Sequence, residues 1–278
     1  KKILTHDSSF HTDDVFTVAT LLLLIGDAEV IRSRDPKVQA TADYVVDTGG
    51  EYNPTVNHFD HHQPGGAGER ENGIPYASFG LVWKEYGEKL AGGIEEARVI
   101  EQRLVMPIDA HDNGIALADY RFNGVKEYAI GNFLNLFENF EQAVDVAKEL
   151  LSKEIILAQK IISDKVKILE AYEKSHDKKL IIFEDDYENW NEVLKKFSEP
   201  LYVIYPRPDK GFTLQAIQEE GFKSRKPLPI EWAGMEGDNF KKMTGVEDAK
   251  FTHKGRFTSG AVTKEGAIKL AKLALNRP

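Results

Sequence analysis

Histidines and aspartates recur down the first 112 residues in four groups: His6 with His11 and Asp13; Asp47; Asp60, His61 and His62; and Asp109 with His111 and Asp112. Only imidazole and carboxylate occur among them, and the chain has no cysteine at all. Mixed nitrogen and oxygen donors without sulfur suit Mn, Fe, Co or Zn, whereas an all-oxygen set points to Mg or Ca. Manganese is the first choice. Two such ions about 3.5 to 4 Å apart can clamp the attacking and leaving oxygens of an in-line displacement at phosphorus while lowering the pKa of a shared water. One carboxylate must be shared between the ions, and Asp47 is the natural candidate. A chain built this way is expected to be a hydrolase.

Single members of the set carry little weight, because a lone histidine is usually a surface or hydrogen-bonded residue and a lone aspartate before glycine is usually a turn former. His58, His111 and His176 fall in that class. Asp112-Asn113-Gly114 reads as a helix stop, so Asp109 is preferred to Asp112 as a ligand. In Asp60-His61-His62, three adjacent side chains point in different directions and cannot all hold one ion, so one is expected to orient another.

The elements that must position these groups alternate. A short strand at Ile3 and Leu4 leads into the His6 loop and a helix over 14–25; a β-branched strand over 44–47 ends at Thr48-Gly49-Gly50. Helices over 77–90 and 94–108 follow, the latter close to a 3.6-residue period. Strands alternating with helices imply a parallel sheet, and ligands of such sheets gather beyond the carboxyl ends of the strands, where His6 and Asp47 both fall. A long helix over 140–172 without glycine or proline precedes a second alternation: strands over 180–183, 201–205 and 212–217, the last two joined by a turn at Pro208, Asp209 and Gly211, and a helix over 190–197. A helix over 264–275 ends the chain.

At 278 residues two domains are expected. The 41% hydrophobic and 29% charged content is that of a globular chain with a sizeable core. The longest apolar run, 15–25, contains Thr17 and Thr20 and is too short to span a bilayer. No apolar leader or targeting segment is visible and cysteine is absent, so a cytoplasmic protein without a membrane partner is expected. The net charge of -9 excludes a general polyanion-coating surface. Local basic groups remain, at Lys223, Arg225 and Lys226 and at Lys250, His253, Lys254 and Arg256.

Asp60-His61-His62, preceded by Asp47 after a strand and by the histidine-rich first loop, resembles the DHH phosphoesterase superfamily of manganese pyrophosphatases, RecJ-type exonucleases and oligonucleotide phosphodiesterases. A narrower likeness is to the melanocyte-proliferating-gene exonuclease family. It is carried by Thr5-His6-Asp7-Ser8-Ser9-Phe10-His11-Thr12-Asp13-Asp14, Val46-Asp47-Thr48-Gly49-Gly50-Glu51-Tyr52 and Phe59-Asp60-His61-His62-Gln63. It continues through Ser224-Arg225-Lys226-Pro227-Leu228-Pro229 with Trp232, and through Phe251-Thr252-His253 with Phe257 and Gly260.

The resemblance implies a two-domain α/β protein: a parallel-sheet, DHH-type metal-binding domain over 1–175 and a smaller α/β phosphate-binding domain over 176–278, with a cleft between them. It implies two divalent ions, Mn with Mg, Co or Zn as substitutes, with His6 and His11 on one, Asp13, His61 and Asp109 on the other, and Asp47 shared. His62 would contact the substrate phosphate or assist the leaving group beside Asp47 and Asp60, and Arg225, Lys226, His253, Lys254 and Arg256 would bind phosphate. The wider superfamily usually has an aspartate where this chain has His11. The implied activity is a 3′-to-5′ exonuclease on RNA or short oligonucleotides. The residues alone also allow a pyrophosphatase-like enzyme of small phosphate substrates, a metal-dependent amide or peptide hydrolase, and a non-catalytic metal-stabilised binding module. A homo-oligomer is compatible with each.

Overall fold

Ile3, Leu4, Val45 and Val46 are consecutive apolar residues on short strands, the pattern of a sheet covered on both faces, and all four are buried. The computed structural model describes residues 1–208 and 210–277 and divides into two units, the first spanning Lys1–Gln159 and the second beginning at Lys160. The first unit contains β1 (Lys2–Thr5), α1 (Thr12–Ile25), β2 (Glu29–Arg32), α2 (Pro36–Gln39), β3 (Tyr44–Val46), β4 (Tyr52–Asn53), β5 (His58–Phe59), α3 (Ser78–Ala91), α4 (Ile94–Ile100), α5 (Met106–Asp112) and α6 (Ile130–Leu134). A π-helical stretch, Glu101–Val105, joins α4 to α5. The helix α7 (Phe140–Lys174) then runs from the first unit into the second.

The first sheet has the order β2-β1-β3-β5-β4. β1 pairs in parallel with β2 and β3, β3 in parallel with β5, and only β4 is antiparallel. Four adjacent strands therefore end on the same edge and release, in sheet order, Arg32, His6, Asp47 and Asp60. The expected parallel sheet is present. β2, β4 and β5 were not expected from the sequence, because they are short and only Phe59 among their residues is buried.

The second unit contains β6 (Leu180–Ile182), α8 (Trp190–Leu194), β7 (Tyr202–Arg207), β8 (Gly211–Ala216), α9 (Gly237–Thr244), β9 (Ala249–Thr252), β10 (Thr258–Ala261) and α10 (Lys264–Leu275). Its mixed sheet has the order β6-β7-β8-β10-β9, with only β6 and β7 parallel. Apolar clusters cover both faces, one centred on Trp232, Phe240 and Leu270, the other on Ile168, Phe183 and Leu194. Asp209 of the expected turn lies outside the described residues. The division into units falls inside α7, between Gln159 and Lys160, rather than after residue 175. Ala143, Ala147, Leu151 and Ala158 of α7 belong to the first core and Ile168 to the second.

The core beside the His6 and Asp47 loops is the packing of α1 on α3. Phe16 and Phe79 are fully buried with ring centroids 5.4 Å apart. Both helices begin at the sheet edge that carries His6 and Asp47, so this contact sets where their first turns lie. Phe16→Ala should therefore destabilise the protein by about 3–5 kcal/mol, read by urea unfolding, the usual range for a buried phenylalanine removed from a packed core; a loss below about 1 kcal/mol would contradict the packing role.

Candidate metal centre

His6 leaves β1 with its Nδ1 2.8 Å from the Asp7 carbonyl oxygen. With Nδ1 facing that carbonyl, Nε2 is the ring nitrogen that points inward. Nε2 lies 3.1 Å from Asp14 Oδ2 and 3.4 Å from Asp47 Oδ2. Asp47 follows β3 with a left-handed φ of 52°, a conformation that aspartate tolerates better than most residues. Its other oxygen, Oδ1, accepts from Ser78 Oγ at 3.2 Å and lies 3.4 Å from His61 Nε2. The two oxygens of one carboxylate thus face two different imidazoles.

Asp13, in the first turn of α1, has no exposed surface. Its carboxylate accepts from the backbone N–H groups of Ser78 at 3.1 Å and Phe79 at 2.8 Å, the opening residues of α3. A helix N-terminus favours a negative charge placed there. His61 Nε2 lies 3.2 Å from Asp112 Oδ2. Among the described residues, three triads of potential ligand atoms, each mutually within 4.8 Å, result: His6, Asp14 and Asp47; Asp13, His61 and Asp112; and Asp47, His61 and His62.

Two buried atoms in this ring, Asp14 Oδ2 and His61 Nε2, have no aligned hydrogen-bond partner. Buried polar atoms are seldom left so. The donor set fits a divalent pair on charge as well: the carboxylates of Asp13, Asp14, Asp47 and Asp112, set against two neutral imidazoles, carry the charge that two divalent cations balance.

Proton affinities express the same excess of negative charge. The facing Asp14 and Asp47 carboxylates push the His6 imidazole up to about 10. Burial lowers the His61 value, yet Asp112 and Asp47 override it and raise it to about 11. Burial, then repulsion from Asp47, Asp112 and Asp109, pushes Asp13 well above the carboxylate range. Burial acts on Asp47 in the same direction but is outweighed by His6 and His61, which hold it below that range.

His62 and Asp60 work together. Asp60 Oδ1 accepts from His62 Nδ1 at 2.7 Å and from the His61 and His62 backbone N–H groups at 2.8 and 3.2 Å, while Oδ2 accepts from Gly50 N at 2.6 Å. Asp60 is buried and fully engaged in shaping the loop. With Nδ1 committed to Asp60, the exposed His62 ring turns Nε2 away from the aspartate.

Several expected roles change in the structure. Asp109 is not in the ligand ring: its oxygens accept from Arg70 Nη2 at 2.7 Å and Gly80 N at 3.0 Å, and Asp112, one turn further on α5, reaches His61 instead. His11 is exposed and outside the three triads, although its ring lies 5.5 Å from that of His6; its backbone N–H donates to Asp14 Oδ1 at 2.8 Å. Asp14 takes the inward position. In the second unit Arg225 is not free for phosphate. Its guanidinium donates to the carbonyls of Phe197, Pro200 and Lys195 and to Glu219. Lys226 Nζ donates to the Arg277 carbonyl at 2.6 Å. His253, Lys254 and Arg256 stand together in the turn between β9 and β10, with Lys254 exposed and Arg256 donating to the Leu228 carbonyl at 3.3 Å.

Asp14 and Arg70 were not recognised from the sequence as part of this region. Asp14 had one signal, its place three residues after His11 at a helix start, where a carboxylate caps the preceding backbone N–H. Arg70 had none, since it lies in an irregular segment and its partners Glu101 and Asp109 are 31 and 39 residues away.

A model of the "Uncharacterised protein family (UPF0160)", labelled MYG1 exonuclease, matches residues 2–275. The chain belongs to the MYG1 exonuclease family. It is 28% identical over 326 residues to the MYG1 exonuclease of Mus musculus, covering 99% of this chain and 84% of the relative. It is 29% identical over 293 residues to the MYG1 protein of Chlamydia trachomatis serovar D, covering 100% of this chain and 97% of the relative. Among solved structures, RecJ of Thermus thermophilus in complex with Mn2+ aligns at 13% identity and a TM-score of 0.33, over all of this chain and 52% of that one.

The centre generates two expectations. At pH 8 both His6 and His61 lie below their proton affinities of about 10 and 11 and hold protons that a cation must displace. Calorimetry of Mn2+ binding in buffers of different ionisation enthalpy should show proton release that shrinks as pH approaches 10 to 11; no dependence on buffer would contradict the arrangement. Separately, Arg70→Met leaves Asp109 buried without its counter-charge and should cost about 3–5 kcal/mol in urea unfolding, with partial recovery when Asp109→Asn is added. Failure of the second change to recover stability would contradict the pairing.

Proposed function

We propose that this chain is a metal-dependent phosphodiesterase of the DHH type, acting as a 3′-to-5′ exonuclease on RNA or short oligonucleotides. The observation that carries the reading is Asp47, whose two oxygens face His6 on one side and His61 on the other. His6, Asp14 and Asp47 would hold one divalent ion, and Asp13, His61 and Asp112 the second, with Asp47 common to both. Manganese suits these mixed donors, with Mg, Co or Zn as substitutes. The bound ions would supply Lewis-acid activation of water and of the phosphoryl group.

The protein's own groups do the rest. Asp13 is held by the opening N–H groups of α3, so the inner wall of the site is fixed before substrate arrives. Asp60 orients His62, and the outward Nε2 is placed to contact a phosphate oxygen or to give a proton to the leaving oxygen. The pairing with Asp60 raises the His62 proton affinity, which favours the charged imidazole for both tasks. His253, Lys254 and Arg256 remain the phosphate-binding candidates of the second unit. The name exonuclease carried by the mouse relative supports a nucleic-acid substrate, and the net charge of -9 favours a short one, since a long strand is held by a basic track.

Purified protein with Mn2+ should release mononucleotides from the 3′ end of a short single-stranded RNA. Asp47→Asn should lower kcat by at least about a hundredfold with the fold intact by circular dichroism. Unchanged kcat in this variant would contradict the shared-ligand role; release from the 5′ end would contradict the polarity.

A further inference from the structure

The four parallel strands deliver Arg32, His6, Asp47 and the Asp60 loop to one edge in that order, and the metal-ligand ring uses only the last three. Beyond β2 lies a cavity of about 690 Å³ whose wall includes Ser9, Phe10 and His11 from the His6 loop, Arg32, and Asn135 and Phe137 ahead of α7. Arg32 pairs with Thr5, the residue before His6, so the cavity is bordered by the strand next to the one that carries His6. His11 lines it and lies 5.5 Å, ring to ring, from His6.

The wall is built for a flat neutral group. The Arg32 guanidinium carbon sits 4.7 Å from the centroid of the Phe140 ring, and Arg32 Nη2 donates to the Ser8 carbonyl at 2.9 Å. A guanidinium held against a ring on one side offers its other face to a planar partner. Arg32 Nε is buried and has no hydrogen-bond partner, a donor that lacks an acceptor. Phe10 and Phe137, both half-buried, add apolar surface, and Asn135 adds an exposed carboxamide. Glu138 and Glu141 also border the cavity, and two carboxylates against one arginine disfavour a phosphate there.

We propose that this cavity is the base and ribose subsite for the terminal nucleoside of the substrate, placed at the end of β2 so that the adjoining phosphodiester lies over the His6 and Asp47 loops. The inference rests on the phosphodiesterase reading for its orientation, but the cavity's preference for a nucleoside is measurable without turnover. Stacking on an aromatic ring or guanidinium is tolerant of base identity, so purines and pyrimidines both enter, purines more tightly.

The test is isothermal calorimetry of the full chain with Mn2+, titrated with AMP, ribose 5-phosphate and inorganic phosphate in parallel. AMP should bind about tenfold or more tighter than ribose 5-phosphate, the gain expected of one stacked base. Phe10→Leu and, independently, Asn135→Ala on an exposed position should bring AMP down toward the ribose 5-phosphate value while leaving that value in place. Equal affinity for AMP and ribose 5-phosphate in the unmodified chain overturns the subsite, as does AMP binding that neither variant weakens. Absence of RNA hydrolysis alongside a base-dependent AMP affinity would count against the phosphodiesterase reading and keep the subsite.

Discussion

Like-charge repulsion among Asp13, Asp14, Asp47 and Asp112 is the constraint around which the first unit is arranged. Three of the four are buried, and Asp112 is partly so. Unpaired, such a group costs several kcal/mol per ion, and the protein offsets it with fixed dipoles and hydrogen bonds. The opening N–H groups of α3 hold Asp13, the Ser78 hydroxyl holds Asp47, and two imidazoles sit between the carboxylates. The balance left over is negative charge that bound cations would offset.

The same helix start serves a second buried carboxylate. Gly80 N donates to Asp109 Oδ1, whose partner oxygen meets Arg70. Burial pushes Asp109 up to about 7 despite the guanidinium. A Cβ at position 80 would lie 1.8 Å from Asp109 Oδ2, which makes glycine a steric requirement there. The first turn of α3 is therefore a common anchor, with Asp13 facing the ligand ring and Asp109 facing away from it toward Arg70.

Much of this was legible in the sequence. Short apolar strands alternating with helices gave a parallel sheet, and ligand residues following β1 and β3 fell at its carboxyl edge by the geometry of that sheet. Asp47 between two imidazole sources followed from needing one shared carboxylate. What was not legible depended on rotation and long-range contact. Asp109 and Asp112 are three apart on one helix face, and the local Asp-Asn-Gly string favoured Asp109, whereas Asp112 is the one that faces His61; the partner that engages Asp109, Arg70, is remote in sequence. Asp13 and Asp14 are adjacent and point about 100° apart on a helix; both reach the centre because α1 begins at the sheet edge. Arg225 looked like a phosphate ligand in a basic cluster, and only the fold shows its donors spent on backbone carbonyls.

The most direct measurement is anomalous diffraction from crystals grown with manganese. Two peaks are predicted, one bordered by His6, Asp14 and Asp47 and the other by Asp13, His61 and Asp112, with an Asp47 oxygen on each. A single peak, or manganese found only outside this ring, would contradict the paired centre.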